Sequence, residues 1–494
     1  MAGGLRDSVQ AGLAAVPAAL ARLGLLDRQK GEEAMDLAAP VMVTGGMRTL
    51  LRVADFFMVS VALGDEAVAA LELGFQYYFI PFGLALALSS GTISVVSRFY
   101  GAEEYARADF AIKQSLWLAL LLALPITAIT WVYAAPMIDV LTDDPRTIAL
   151  GAIYLQIVML SAAFRFWSLI AARALAGAGD TRTPMYIRLI SLPTNVVLNA
   201  LLIFGLGPFP RLGIVGAAAG TAIANVLAAG LFLAVLLSGR FALRLRLGGR
   251  QWDTSIAREI VRVGLPLAGT RLSRTIGRFP FLFVLGVLGT EVIAAYAIGR
   301  RVMLLALMPA WGFSTASSTL VGQSLGAGDP DEADAYGWQT LRLAVAIQLA
   351  LAVAIILAAE PIVAAFDATA MALTVEFVRV FGLGVAGFAI SRTMRGSLRG
   401  AGDTRWPLYG GLIGTYLVRL PIAAVALPVG FGLPILGFTL APGLGLGVLA
   451  IYLAILADMY ARAAINVARF ASGAWKDIAA AADIEAAPEA EASS

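Results

Sequence analysis

Long apolar stretches separated by short polar connections run through almost the whole chain. Each stretch can cross the hydrocarbon core of a bilayer as a helix, which takes about 20 apolar residues. A transmembrane β-barrel is excluded because its strands alternate between apolar and polar positions over about 10 residues. The pattern predicts twelve membrane helices, called spans 1 to 12 below, at about residues 36–63, 67–95, 112–134, 147–174, 184–206, 213–238, 259–288, 292–321, 338–359, 370–396, 407–430 and 436–463.

The composition is that of a membrane protein. Of 494 residues, 60% are hydrophobic and 14% are charged, and the mean hydropathy is +0.83. A soluble core cannot bury that much apolar surface. The chain has no Cys and no His, which excludes disulfides, thiolate chemistry and metal or haem sites that need imidazole. We expect no metal site and no cofactor, and any proton coupling must use carboxylates.

Arg and Lys are concentrated in the connections on one side of the predicted spans. They are dense between spans 6 and 7, at residues 239–258, whereas the opposite side offers little beyond Arg146 and Arg211. Because cytoplasmic connections accumulate these residues, the basic side and both termini are expected in the cytoplasm of a multi-pass cell-membrane protein. The net charge of +3 reflects this bias and does not indicate nucleic acid binding. Residues 1–35 form a cytoplasmic segment that can lie as an interfacial helix, and 466–494 form a cytoplasmic tail with a disordered end.

The motif GAGDTR occurs twice, at residues 177–182 and 400–405. When residues 175–190 are compared with 398–413, 11 of 16 positions are identical. Hydrophobic composition alone does not produce that agreement. The motif therefore indicates an internal duplication of one membrane unit.

The duplication extends beyond this motif. At a shift of 225 residues, six further pairs coincide, among them Gly64 with Gly289, Gly101 with Gly326 and Asp109 with Asp334. The sequence thus predicts a six-helix bundle at 36–238 and a second one at 259–465. The cytoplasmic loop at 239–258 links them.

Three motifs together resemble those of the multidrug and toxic compound extrusion (MATE) family. They are GAGDTRTPM after span 4, GAGDTRWPL after span 10 and VGQSLGAGDPDEA after span 8. The resemblance covers nearly the whole chain. It implies an all-α integral membrane fold with twelve transmembrane helices in two pseudo-symmetric six-helix bundles. It also implies multidrug efflux without enzymatic activity, in which small amphiphilic drugs or metabolites are exchanged for H+ or Na+ by alternating access.

Asp55 is the clearest acidic residue inside a predicted span, because span 1 is apolar on both sides of it. Placing an ionised group there costs about 3 kcal/mol on insertion scales, so a functional role is the default hypothesis. The structural alternative is an ion pair with Arg52, one turn earlier. The resemblance to the MATE family implies that Asp55 takes part in proton or sodium coupling. It also implies that Pro40 is the kink proline of span 1, although a bend tolerated by neighbouring helices is the alternative.

Asn195 and Asn199 lie one turn apart in span 5, on one face of the helix. The resemblance implies that they bind beside the aspartate of span 1, with Thr221 in span 6 as a weaker candidate. The family commonly has Asp at the position of Asn199. Because Asn cannot take up a proton, the expected site is reduced to Asp55 with amide partners. The alternative is a structural role in interhelical hydrogen bonds, worth about 0.6 kcal/mol each in membranes. Spans 7, 8 and 10 carry no deep acidic residue, so coupling is expected in the N-terminal half.

Arginines form two stripes at helical spacing in spans 1 and 7. One stripe is Arg48 and Arg52 leading to Asp55, and the other is Arg271, Arg274 and Arg278. The resemblance implies that spans 1 and 7 line a central cleft, so these five side chains are candidate substrate-cavity residues. An anionic or zwitterionic amphiphile would suit such a cavity better than a cation. The alternative is that they cap helix ends and extend to lipid phosphates, an explanation that also suits Arg392, Arg395 and Arg399 at the end of span 10.

Two other functions compete with efflux. A flippase of lipid-linked oligosaccharide or another anionic lipid would explain the arginine stripes but not the MATE motifs. A membrane-embedded transferase would need a clustered acidic or metal site, which the sequence does not offer. We therefore expect a transporter that acts as a monomer on small amphiphilic solutes.

Overall fold

The structure is a computed structural model that describes residues 15–63, 65–366, 370–435 and 438–478. The first half of the chain contributes seven long helices. They are α1 (Arg28–Leu63), α2 (Asp65–Gly101), α3 (Tyr105–Asp139), α4 (Pro145–Leu160), α5 (Ala162–Gly177), α6 (Arg182–Phe204) and α7 (Ile214–Ser238).

The second half contains helices and one short hairpin. The elements are α8 (Thr254–Ile276), α9 (Arg278–Leu288), α10 (Thr290–Ala306), α11 (Met308–Gly326), α12 (Pro330–Leu357), α13 (Ala359–Ala364), α14 (Met371–Gly400), α15 (Arg405–Leu412), a π-helix (Ile413–Arg419), α16 (Leu420–Ala424), strands β1 (Leu433–Ile435) and β2 (Phe438–Leu440), and α17 (Gly447–Ala471). The prediction of an all-α membrane fold is confirmed, apart from this hairpin.

Seven helices in the described part of the chain are long and apolar enough to cross a membrane. The number rises to nine when two bent pairs each count as one span: α4 with α5, bent by 48°, and α10 with α11, bent by 45°. All twelve predicted spans overlap helical residues, but the exact number of crossings stays a prediction.

The predicted start of span 12 at residue 436 is wrong. Leu433 pairs with Leu440 and Ile435 with Phe438 in an antiparallel hairpin, and α17 begins only at Gly447. The sequence PILGFTLAPGLGLG in this region is rich in Gly and Pro, which are the weakest helix formers. The segment is apolar enough for hydropathy to predict a membrane span, but its Gly and Pro residues disfavour a helix.

Two compact units make up the described chain. The N-terminal unit comprises Pro40–Leu265 with Gly322–Gly328, and the C-terminal unit comprises the described residues within Met1–Ala39, Pro266–Val321 and Asp329–Ser494. The division falls inside α1 and α8, at Pro40 and Pro266. A helix-1 kink at Pro40 stays a prediction.

The two GAGDTR motifs have the same backbone geometry. Gly179 and Gly402 have φ of +88° and +82°. In both copies the amide of the next Asp donates to a helix carbonyl at 2.8 Å, from Asp180 to Leu175 and from Asp403 to Leu398. A left-handed Gly with this bond is a helix C-cap. The motif therefore ends one helix and starts the next, as its sequence predicts.

One helix end places a glutamate where its repeat partner has glycine. Glu103, after α2, has φ of +60°, and its equivalent at a shift of 225, Gly328, has φ of +77°. A side chain in this left-handed region costs about 1 to 2 kcal/mol. We expect Glu103→Gly to raise the free energy of unfolding by about 1 kcal/mol, measured by thermal unfolding in detergent.

The matched variant is Gly328→Ala, since an added Cβ there would meet no atom within 4 Å and only the backbone would respond. It should lower the stability by a similar amount. If neither variant changes the unfolding transition, the backbone of these two turns has been assigned wrongly.

Small residues bring α6 and α7 into close contact in the N-terminal unit. A Cβ added at Gly216 would lie 2.5 Å from the carbonyl oxygen of Leu202, so only glycine permits this approach of the two backbones. Small residues at helix contacts are characteristic of membrane proteins, where close packing replaces the hydrophobic driving force. This contact fixes the position of the polar face of α6.

Candidate functional site

A cavity of about 160 Å³ lies inside the N-terminal unit. Side chains from α1, α2, α4, α5, α6 and α7 line it. The polar ones are Arg48, Asp55, Tyr78, Tyr154, Arg165, Arg188, Ser191, Asn195, Thr221 and Asn225. Three of the four predicted coupling residues therefore lie on one cavity, and the fourth, Asn199, is bonded to one of them.

The predicted coupling residues form two hydrogen-bonded pairs. Asn199 Nδ2 donates to Asp55 Oδ1 at 2.9 Å, and Asn195 Nδ2 donates to Thr221 Oγ1 at 3.3 Å. The two asparagines share a face of α6 because they are four residues apart. The structure thus brings together a carboxylate, two amides and a hydroxyl from three helices.

Asn199 is held in a tightly packed position. Its side chain is buried, and no donor within the described ranges reaches its Oδ1. A Cβ added at Gly220 on α7 would lie 2.1 Å from that oxygen. A buried acceptor without a partner costs about 1 to 3 kcal/mol, and a donor or a cation at Asn199 Oδ1 would offset that cost.

Gly220→Ala should displace the Asn199 side chain and weaken its bond to Asp55. If this pair carries the coupling, we expect gradient-driven transport to fall by about tenfold, the value of one lost charge-assisted hydrogen bond. The fold should remain, because Ala favours a helix over Gly. The measurement is transport in proteoliposomes together with the melting temperature.

Gly230→Ala is the matched control on the same helix, since nothing lies within 4 Å of a Cβ at that position. It should transport like the parent protein. Normal transport by Gly220→Ala as well would show that the Asn199 position is irrelevant to coupling.

Two arginines that the sequence analysis did not select line the same cavity. They are Arg165 on α5 and Arg188 on α6. Both interrupt apolar helices, which is the signal that identified Asp55, but an arginine near a helix end also fits a position at the lipid phosphates. Among the lining side chains that the structure describes, Arg48, Arg165 and Arg188 are cationic and Asp55 is anionic, a formal charge of +2.

Arg48 and Arg52 are both predicted to line the substrate cavity, but the structure tests this only for Arg48. Arg48 does line the cavity. The side chain of Arg52 lies outside the described part of the structure, so both its cavity role and its ion pair with Asp55 stay predictions.

A family model named MatE matches the chain twice, at residues 40–201 and 266–425. The two matches cover well over half of the chain and correspond to the two predicted copies. The chain belongs to the MATE family.

Several bacterial transport and resistance proteins resemble this chain over most of its length. The probable multidrug resistance protein NorM of Thermotoga maritima is 28% identical over 457 residues, with 90% of this chain and 93% of the relative covered. The NorM protein of Bradyrhizobium diazoefficiens is 30% identical, with 80% and 86% covered. The FAD transporter of Shewanella oneidensis is 25% identical, with 70% and 76% covered.

Solved MATE structures show the same fold. A MATE protein in the bent conformation superposes with a TM-score of 0.79 at 22% identity, covering 91% of this chain and 97% of that chain. An outward-facing multidrug resistance MATE transporter gives 0.78 at 22% identity, covering 90% and 96%. This MATE protein is therefore a multi-pass membrane transporter and not an enzyme.

The arginines of the second predicted stripe do not lie on one continuous helix. α8 ends at Ile276 and α9 begins at Arg278, and Gly277 between them keeps right-handed helical dihedrals (φ −66°, ψ −10°). Arg271 and Arg274 lie within electrostatic range of Arg392 and Arg395. Arg278 interacts with a different cation, Arg300. The single stripe and a substrate role for all three arginines stay predictions.

The interpretation that Arg399 extends to lipid phosphates is wrong. Arg399 is buried and donates to the carbonyl oxygen of Ser314 at 2.8 Å and to Ser318 Oγ at 3.1 Å. Its neighbour Arg392 lies over the ring of Trp311, 3.8 Å from the centroid. Ser314 and Ser318 on α11 accept hydrogen bonds from Arg399. The position of Arg399 near a helix end does not reveal these bonds.

Proposed function

We propose that this MATE transporter exports small amphiphilic solutes in exchange for H+ or Na+, by alternating access, with Asp55 as the coupling carboxylate. The observation that carries the proposal is the bond from Asn199 to Asp55 on the wall of a cavity shared with Asn195 and Thr221. The NorM relatives from Thermotoga maritima and Bradyrhizobium diazoefficiens are probable multidrug resistance proteins, which supports efflux as the direction of transport.

Either coupling ion suits the groups present. Ionised Asp55 accepts from Asn199 Nδ2, and its protonation would create a donor for Asn199 Oδ1 once the amide rotates. A sodium ion would instead bind the oxygens of Asp55, Asn199 and Thr221, since carboxylate, carbonyl and hydroxyl oxygens suit hard cations. Either event changes the cavity charge by one unit.

That change of charge supplies the coupling. A ligand shifts a conformational equilibrium only by the difference in its affinity for the two states. Exchange therefore requires that the ion-bound and the solute-bound transporter cross as separate forms, so that the ion gradient drives solute in the opposite direction. We further propose that both termini lie in the cytoplasm and that the protein transports as a monomer.

The test is export of a fluorescent amphiphile from proteoliposomes under an imposed pH or Na+ gradient. The proposal predicts that one of these gradients accelerates export and that its collapse abolishes the effect. Translocation that continues unchanged after both gradients collapse would contradict it and would favour a lipid flippase. The match to the MatE family model and the similarity to NorM proteins favour a MATE exporter over that alternative.

A further inference from the structure

Arg188 is a buried cation without an obvious counter-charge. Its side chain is 4% exposed and lines the cavity of the N-terminal unit. It has no hydrogen bond or ion pair to any residue that the structure describes. A guanidinium has five N–H donors and keeps its charge in proteins, so burial inside a membrane protein without an acceptor is costly.

Other cations converge on the same end of the cavity. Arg165 and Arg48 both lie within electrostatic range of Arg188. Asp55, a carboxylate on the cavity wall, accepts from Asn199. Arg188 and Asn199 are eleven residues apart on α6, a rise of about 16 Å along the helix. The cavity thus has a guanidinium end and a carboxylate end.

Aromatic rings contact the arginines at the guanidinium end but do not accept full hydrogen bonds from their N–H groups. Arg188 lies 5.5 Å from the ring centroid of Phe232, and Arg165 lies 5.5 Å from that of Phe82. Tyr78 stacks on Phe82 with 5.8 Å between centroids. A ring face attracts a cation but accepts none of its N–H groups in a full hydrogen bond. The donors of Arg188 remain available to a ligand.

We infer that this guanidinium end, formed by Arg188, Arg165 and Arg48, binds an anionic group of the transported solute. The ligand would be a carboxylate or phosphate on a small apolar or aromatic body, because guanidinium forks match such oxygens with two parallel hydrogen bonds. A cavity of about 160 Å³ suits one ring, since an apolar cavity of about 150 Å³ binds benzene. This inference rests on the proposed function and specifies its substrate class.

The test uses salicylate, a fluorescent one-ring carboxylate, and its uncharged analogue salicylamide. The full-length protein is reconstituted in phosphatidylcholine nanodiscs, and the dissociation constants are measured. We expect salicylate to bind at least about tenfold more tightly than salicylamide, and Arg188→Gln to remove that difference, as loss of a charge-assisted hydrogen bond requires. Arg188→Lys should keep part of it.

Several controls keep the outcome interpretable. Exposed Arg301, replaced by Gln, should bind salicylate like the parent protein. Removing an unpaired buried cation should not lower the melting temperature, so Arg188→Gln is expected to fold. If it does not fold, Arg165→Gln provides the same comparison.

Lipid is the other source of the same chemistry. If phosphatidylglycerol in the nanodisc displaces salicylate through an Arg188-dependent site, the anion site is supported and a lipid headgroup is its ligand. Equal binding of salicylate and salicylamide, or salicylate binding unchanged in Arg188→Gln and Arg165→Gln, overturns the inference.

The proposed function can fail separately. Asp55→Asn should leave salicylate affinity within about threefold because Asp55 is bonded at the other end of the cavity. Retained Arg188-dependent binding alongside undiminished coupled export in Asp55→Asn would overturn only the coupling assignment. If Asp55→Asn loses coupled export but salicylate binding does not depend on Arg188, only the anion site is overturned.

Discussion

Asp55→Asn is expected to abolish gradient-driven export, reducing the coupled rate by about 100-fold or more, because a neutral amide can no longer change charge when the ion binds. Asn is nearly isosteric with Asp and can still bond to Asn199, so the cavity should keep its shape. The measurement is initial export under the active gradient, in proteoliposomes with equal protein content.

Two variants separate coupling from damage to the fold. Asp36→Asn removes an acidic residue from the same helix, in the C-terminal unit and away from the cavity, and should transport normally. Asp55→Glu keeps the titratable group and should retain part of the activity. Undiminished export by Asp55→Asn would show that coupling lies elsewhere.

Asp458→Ala is expected to cause a large loss of stability in the C-terminal unit. Asp458 Oδ1 accepts from Arg462 Nε at 2.6 Å, and Arg462 also donates to Thr415 Oγ1 at 2.7 Å. Both partners of this ion pair are about nine-tenths buried, with side-chain exposures of 10% and 11%. Removing one partner of a buried pair costs about 3 to 5 kcal/mol.

The surroundings of the pair strengthen this expectation. Arg274 and Arg395 both lie within electrostatic range of Arg462, so the loss of Asp458 leaves uncompensated cations together. The double variant Asp458→Ala/Arg462→Met should recover most of the lost stability, measured as the unfolding transition in detergent. The control is Glu360→Ala, which breaks the exposed pair with Arg379 and should change stability by less than about 1 kcal/mol. Equal effects of Asp458→Ala and Glu360→Ala would contradict a buried role for Asp458.

The features that depend on local pattern could be predicted from the sequence. Hydropathy locates helical residues for all twelve predicted spans, and GAGDTR predicts two helix ends that the structure shows in the same geometry. Asp55, Asn195, Asn199 and Thr221 are expected to converge, and they do, through two hydrogen bonds. Their function as a coupling site remains a proposal.

Features that depend on tertiary contact could not be predicted in this way. The bends at Ser161 and Leu307 fall within continuous apolar stretches, and hydropathy gives no sign of them. The helix of Asp458 also carries Arg462 and Arg469, and only the contacts of Arg462 with Asp458 and Thr415 show that the pair is buried. In the sequence, Arg188 is a residue near a helix start, and only the fold places it on an enclosed cavity.

The most direct test of the central claim is the binding of the coupling ion to purified protein. Proton uptake or Na+ titration should show one ion bound per chain in the parent protein and none at the same affinity in Asp55→Asn. Equal stoichiometry and affinity in both proteins would contradict the assignment of Asp55 as the coupling residue.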